Sequence, residues 1–168
     1  MTHPVTRGNF GEAITGTNAT FFVTGKPVPQ GSLKFIHGKA IHVRAQDLAV
    51  WRANIAISAK NAFVEKANEG VEIHLRFITL KPKTVTRNEP FIRPDLDKLI
   101  RAVMDGLTGV AYDDDQQVTR LSASKEYGIT EGVWITIIDR QKLRRSNLSG
   151  SRDSDTVFIN YDVNTYTD

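Results

Sequence analysis

Residues 93–118 read RPDLDKLIRAVMDGLTGVAYDDDQQV, and this stretch decides how the chain is interpreted. It begins with two aspartates one residue apart, Asp95 and Asp97, and continues with apolar residues at the three- and four-residue spacing of an amphipathic helix. Three consecutive aspartates, Asp113–Asp115, come after a glycine, Gly109, that can end the helix. If the chain turns back there, the second acidic group comes to lie beside the first.

Two acidic groups that converge indicate a hard divalent cation held by carboxylate oxygens, usually Mg²⁺. Each group also has an ordinary explanation, because aspartate favours helix N-termini and an acidic turn often leads into a strand. The combination favours a metal, since three adjacent like charges repel one another and a cation removes that repulsion. In a basic protein, such an ion suits phosphodiester hydrolysis on a nucleic acid.

Asp97, Arg101 and Asp105 recur at four-residue spacing on one face of the predicted helix. One interpretation is a ladder of surface ion pairs, each of which stabilises a helix by about 0.2–0.5 kcal/mol. The other is that Arg101 stabilises the charge on a phosphate that is under attack. We assign Asp105 to the ladder and favour the catalytic role for Arg101.

The composition is that of one globular domain and excludes several classes of protein. The chain has 168 residues, of which 40% are hydrophobic and 24% charged, which is enough for one buried core. It has no cysteine, and this excludes disulfides, zinc–thiolate sites and thiol catalysis. Without a membrane-spanning apolar run or a signal-peptide layout, we expect a cytoplasmic protein that has no membrane partner.

Positive charge lies upstream of the aspartate triplet. The net charge is +3, but residues 1–112 carry 15 Lys and Arg against 9 Asp and Glu, whereas residues 113–168 carry 7 against 10. A basic body of this kind fits the binding of a polyanion. We predict phosphate contacts for basic residues of a hairpin, of a loop at 81–94 and of the helix start: Lys34, Lys39, Arg44, Lys81, Lys83, Arg87, Arg93 and Lys98.

The remaining pattern predicts an α/β protein of the α+β kind, with a small mixed sheet and two main helices. Strands are predicted at 20–24, 71–80, 117–125 and 133–138 (the last one central), a hairpin at 34–43, and helices at 46–68 and 95–108. Residues 1–18 are predicted to be a mobile arm, 19–142 the folded domain, and 143–168 a flexible linker and tail. Residues 157–161 could add a short edge strand or dock elsewhere on the domain.

The stretch from Arg93 resembles the RusA-type Holliday-junction resolvases, a family carried largely by phages and prophages. The family pattern is roughly R-x-D-L-D-N-L, a following lysine, D-A-L and then D-D-x-Q-V. It stands here as Arg93–Leu99, Arg101, Asp105–Leu107 and Asp114–Val118. The resemblance extends over about residues 20–140 and includes a Gly-x-Pro-x-Pro-Gln-Gly loop at Gly25–Gly31.

The resemblance implies a homodimer that makes paired nicks in a four-way DNA junction and requires Mg²⁺, with Mn²⁺ as a substitute. By position, Asp95, Asp97 and Asp115 match the family's metal-binding catalytic aspartates, and Asp114 matches a supporting acid. Two positions depart from the pattern. Lys98 stands where the family has asparagine. Arg101 stands where it has lysine, which keeps the charge but gives a group that cannot lose its proton.

Three functions remain open from the sequence. The first is a metal-dependent, structure-selective endonuclease that acts in recombination and repair. The second is a non-catalytic, structure-selective DNA-binding protein in which the aspartates are helix caps, but such a protein gains nothing from carboxylates beside phosphates. The third is a small-molecule phosphohydrolase, which the basic loop and hairpin argue against because they suit an extended polyanion.

Overall fold

Alternating apolar and polar residues build a mixed β-sheet, as the predicted fold class requires. The computed structural model describes residues 18–31, 33–36, 39–42 and 44–148, with the side chains of residues 33–42 outside the description. In chain order the strands are β1 (Asn18–Thr24), β2 (Leu33–Ile36), β3 (Lys39–His42), β4 (Val71–Leu80), β5 (Val118–Gly128) and β6 (Gly132–Asp139).

The main sheet has four strands in the order β1-β6-β4-β5, so the predicted central position of the 133–138 strand is confirmed. Strand β6 pairs antiparallel with both β1 and β4. Strands β4 and β5 run parallel, and a parallel pair needs a crossover connection, which residues 81–117 provide. Strands β2 and β3 form the predicted hairpin, as a separate antiparallel pair.

Two of the helices are those that the sequence predicts: α1 (Ala45–Asn61) and α2 (Leu96–Leu107). The predicted end of the first helix at residue 68 is wrong, because the chain leaves the helix after Asn61. Phe63 adopts a left-handed backbone (φ 55°), its N–H bonds the carbonyl of Lys60, and the N–H of Val64 bonds the carbonyl of Ala59. This is the hydrogen-bond pattern of a Schellman cap, here without the glycine that usually marks it.

A third helix, α3 (Arg140–Leu148), was not predicted, and it extends past the proposed domain boundary at residue 142. The carboxylate of Asp139 accepts hydrogen bonds from the N–H groups of Gln141 and Lys142 and so caps its first turn. Lys142 also pairs with Glu65. The predicted N-terminal arm up to residue 17, and the predicted edge strand at 157–161, lie outside the described residues.

The core lies between one face of the sheet and the helices α1 and α2. Every second residue of β4 from Val71 to Phe77 is at most 1% exposed, and α2 buries Leu99, Val103 and Leu107 to the same degree. Helices α1 and α2 approach closely at Gly106, where an added Cβ would lie 3.1 Å from the Cβ of Ile55. This packing fixes α2 along its length and therefore fixes the position of both of its ends. In the described part of the chain, no helix has the length and apolar character needed to cross a membrane.

Candidate active site

The first acidic group lies at the N-terminus of α2. Asp95 occupies the N-cap position with extended backbone angles (φ −68°, ψ 143°), but its side chain makes no capping hydrogen bond. Asp97 lies in the first turn and has a side chain that is 73% exposed. Among the described residues, its carboxylate pairs only with the adjacent Lys98, at 3.7 Å between Oδ2 and Nζ. The Asp95 carboxylate therefore does not cap the helix, and the helix-cap explanation of Asp95 is not what the structure shows.

Two neighbouring segments hold this end of α2 in place. The Nζ group of Lys125, on β5, donates to the carbonyl oxygens of Ile92 (2.7 Å) and Pro94 (3.1 Å). The backbone N–H of Gln30, in the Gly25–Gly31 loop, donates to the carbonyl of Lys98 (2.9 Å). Lys125 and Gln30 are not recognisable as site residues from the sequence, because no local pattern shows that β5 and this loop meet the helix start.

A pocket of about 100 Å³ opens beside Asp97 and is lined by Gln30, Gly31, Asp97, Lys98 and Arg101. The two cationic side chains favour an anionic ligand such as a phosphate, with which arginine and lysine form strong charge-assisted hydrogen bonds. Arg101 is exposed. The predicted ladder through Asp105 is wrong, because Asp105 pairs with Arg52 of α1.

The second acidic group lies in the loop after α2, and its three aspartates have different surroundings. Asp113 pairs with Lys66 at 2.6 Å. Asp114 caps a short 3₁₀ helix, Asp115–Gln117, by accepting a hydrogen bond from the N–H of Gln116 (2.9 Å). The Asp115 carboxylate has no hydrogen-bond or salt-bridge partner in the part of the chain that the structure describes. Two of the three charges are therefore stabilised without a metal.

Polar contacts fix this loop against the C-terminal half of α2 and against the segment that precedes β4. The hydroxyl of Tyr112 donates to the carbonyl of Met104 (2.9 Å). Burial, followed by the negative charges of Asp115 and Asp105, raises the pKa of Tyr112 well above its usual range, so the hydroxyl stays protonated and can donate. The side chain of Gln117 also donates to the carbonyl oxygens of Ala67 and Glu69 (3.1 Å each).

Within one chain, the two acidic groups lie at opposite ends of α2. The helix has 12 residues, which corresponds to a length of about 18 Å. Strand β5 runs beside it from Val118, next to the acidic loop, to Lys125, which binds the chain just before Asp95. The predicted return of the second group beside the first is thus not found.

Carboxylate oxygens are the ligands that a hard divalent cation prefers. Across the described residues, however, no group of three or more His, Cys, Asp or Glu side chains is close enough to hold a metal ion. The donor chemistry fits such an ion, but a single chain does not assemble the predicted set Asp95, Asp97 and Asp115.

The basic loop at 81–94 leads directly into the Asp95 end of α2. Lys83 and Arg93 are exposed, Lys81 lies 5.8 Å from the ring centroid of Tyr127, and the guanidinium of Arg87 lies 4.5 Å from that of Phe91. Of the other predicted phosphate contacts, Arg44 pairs with Asp47 at 2.8 Å. The side chains of Lys34 and Lys39 lie outside the described residues.

The part of the chain that contains this arrangement is similar to known proteins. The model of a family described as Endodeoxyribonuclease RusA matches residues 24–138. The matched range is more than half of the chain and includes both acidic groups, the basic loop and the pocket. The chain is also similar to YqaN, an uncharacterised protein of Bacillus subtilis (strain 168), with 28% identity over 132 residues that cover 70% of this chain and 93% of that protein.

Proposed function

This chain belongs to the RusA family of endodeoxyribonucleases, and on that premise we propose that it resolves four-way DNA junctions by paired, Mg²⁺-dependent nicks. The family is one of Holliday-junction-resolving endonucleases that depend in general on a divalent metal ion. For this chain we propose that the ion is Mg²⁺, with Mn²⁺ as a substitute, and that the protein acts in recombination and repair.

The observation that carries the proposal is the uncommitted carboxylate of Asp95. A helix-capping aspartate would accept a backbone N–H, and Asp95 does not. Within the described ranges of the chain, Asp97 and Asp115 are similarly left without strong partners, whereas Asp113 and Asp114 are used by the fold. We therefore assign metal binding and catalysis to Asp95, Asp97 and Asp115, and a supporting role to Asp114 through the loop that it caps.

We also propose that two copies of the chain are needed to complete each site. Asp95 and Asp97 of one copy lie too far from their own Asp115, because α2 separates them. A second copy that places its acidic loop against the N-terminus of α2 would supply the missing carboxylate. The ion, when bound, would provide charge neutralisation and an activated water.

The residues around the acidic groups bind and orient the DNA backbone in this proposal. Arg101 and Lys98 line the pocket beside Asp97 and bind the phosphate to be cut. As an arginine, Arg101 is suited to stabilising negative charge and not to transferring a proton. The other predicted basic residues bind phosphates farther along the duplex arms of the DNA junction: Lys34, Lys39, Arg44, Lys81, Lys83, Arg87 and Arg93.

The test is the nicking of a labelled four-way junction beside a linear duplex, with and without Mg²⁺, by wild type and by Asp95→Asn. We expect symmetric nicks in the junction only, and a loss of about 100-fold or more in the variant, because a charge-stabilising group is removed from the reaction. Junction binding without nicking, in Mg²⁺ and in Mn²⁺, would favour a non-catalytic DNA-binding protein. Equal cutting of both substrates would contradict the proposed selectivity for four-way junctions.

Mixing two inactive variants tests the two-copy site. Asp95→Asn and Asp115→Asn chains that exchange at random form about half heterodimers, and each heterodimer keeps one intact site if the carboxylates come from different copies. We therefore expect recovery of about a quarter of the wild-type sites. A mixture of Asp95→Asn with Asp97→Asn is the matched control, because both changes fall in the same half-site and cannot complement. No recovery in the first mixture would show that each site is built within one chain.

A further inference from the structure

Arg52 joins three separate elements beside the proposed phosphate pocket. Its Nη2 group donates both to the Asp105 carboxylate of α2 and to the Oε1 atom of Gln30 in the Gly25–Gly31 loop. A terminal nitrogen of arginine carries two N–H groups, so one nitrogen can serve both acceptors. The backbone of Gln30 is in turn bonded to the first turn of α2.

This arrangement determines which partner Asp105 has. Asp105 lies four residues after Arg101 on the same helix, a spacing at which two opposite charges are within reach of each other. In the structure Asp105 pairs with Arg52 instead. As a result, the Arg101 guanidinium has no hydrogen-bond or salt-bridge partner among the described residues, and it faces the pocket that Gln30 and Gly31 also line.

We propose that Arg52 is a positioning residue that holds Asp105 away from Arg101 and so keeps Arg101 available for a DNA phosphate. Gln30 assists by fixing the orientation of Arg52 and by tying its loop to the wall of the same pocket. The inference rests on the proposed function, since it assigns to the pocket a phosphate of the DNA substrate. It also gives a role to the Gly25–Gly31 loop, for which the proposed metal-binding aspartates provide none.

A purely structural ion pair is the competing explanation, and the chain offers a matched control for it. Arg76 and Glu126 form a pair of the same exposure, 33% and 34% against 31% and 33% for Arg52 and Asp105. That pair joins β4 to β5 on the face of the sheet opposite the buried residues of β4. Removing the Arg76–Glu126 pair therefore measures how much nicking and binding change when an ion pair away from the pocket is lost.

The experiment compares Arg52→Met, the double variant Arg52→Met/Asp105→Asn, and Arg76→Met. In the single variant Asp105 loses its partner and competes with phosphate for Arg101. We expect kcat/KM for junction nicking to fall about three- to tenfold, and the salt slope of junction binding in EDTA to flatten by about 0.9, the value for one phosphate contact. In the double variant the competing charge is absent, so both quantities return most of the way to wild type.

Arg76→Met should leave both quantities near wild type, and thermal unfolding of all three variants checks that they fold. The proposal is overturned if the double variant is no better than Arg52→Met, or if Arg76→Met loses as much as Arg52→Met. The binding measurement contains no metal and does not depend on turnover. If wild type fails to nick but binding still falls in Arg52→Met and recovers in the double variant, the endonuclease proposal fails and the positioning inference stands.

Discussion

The two ends of α2 carry the same residue type and use it in different ways. At the N-terminus, Asp95 occupies a cap position without capping, and Asp97 points into a pocket that also contains Lys98 and Arg101. At the other end, the loop pairs Asp113 with a lysine and uses Asp114 as a cap. An aspartate of this chain is therefore a candidate metal ligand only where the fold leaves its carboxylate without a partner.

The difference has a simple electrostatic origin. Three adjacent carboxylates repel one another, and from the sequence that repulsion indicated a cation. In the structure the ammonium group of Lys66 offsets the charge of Asp113, and the backbone N–H of Gln116 donates to the carboxylate of Asp114. The triplet is therefore weaker support for a metal than the sequence indicated. Of its three residues, only Asp115 has a carboxylate without a hydrogen-bond or salt-bridge partner among the described residues, as the proposal requires.

The largest expected effect separates two neighbours in the acidic loop. Asp115→Asn should reduce nicking by about 100-fold or more while leaving stability close to wild type, because the proposal assigns its carboxylate to the chemistry and not to the fold. Asp113→Asn should lose only an exposed ion pair, worth about 1 kcal/mol or less, and keep its activity within about twofold. Single-turnover nicking and urea unfolding measure both quantities. Equal losses of activity in the two variants would end the distinction between these aspartates.

A smaller effect is expected from the basic loop that enters the Asp95 end of α2. Neutralising Lys81, Lys83 and Arg87 together should weaken junction binding and reduce its salt slope by up to about 2.7, since each phosphate contact contributes about 0.9. Lys66→Gln is the control, because Lys66 is already paired with Asp113 at the opposite end of the helix. Junction affinity measured across a salt series decides the matter, and an unchanged slope in the triple variant removes the loop from the DNA interface.

The smallest effect tests the cap at Asp114. Asp114→Ala should reduce stability by about 1 kcal/mol, because the N–H of Gln116 loses its acceptor. Asp114→Asn keeps an oxygen acceptor and should lose less. Urea unfolding gives the stability, and nicking should fall far less than in Asp115→Asn. A complete loss of nicking in a stable Asp114→Ala protein would assign Asp114 to the chemistry and not to the cap.

The strands and α2 were predictable because their signals are local. Alternation places the buried residues of β4 on one face, and three- and four-residue spacing gives α2 its apolar stripe. The end of α1 was not predictable in the same way, because the cap that ends it has Phe63 where glycine is usual. Helix α3 was missed because its basic, polar sequence has no buried residue to mark it.

The residue types of the site can be read from the sequence, because the aspartates, the basic loop and the cations of α2 lie close together along the chain. Their partners and their separation depend on how the chain folds. The pair between Arg52 and Asp105 and the anchoring by Lys125 join elements that are far apart in the chain. The separation of Asp95 from Asp115 depends on α2 itself and on the course of the loop that follows it. Local periodicity specifies which face of an element is buried, but it does not specify which distant side chain contacts that element. In this protein those distant contacts determine which charged side chains remain available for the proposed binding of DNA.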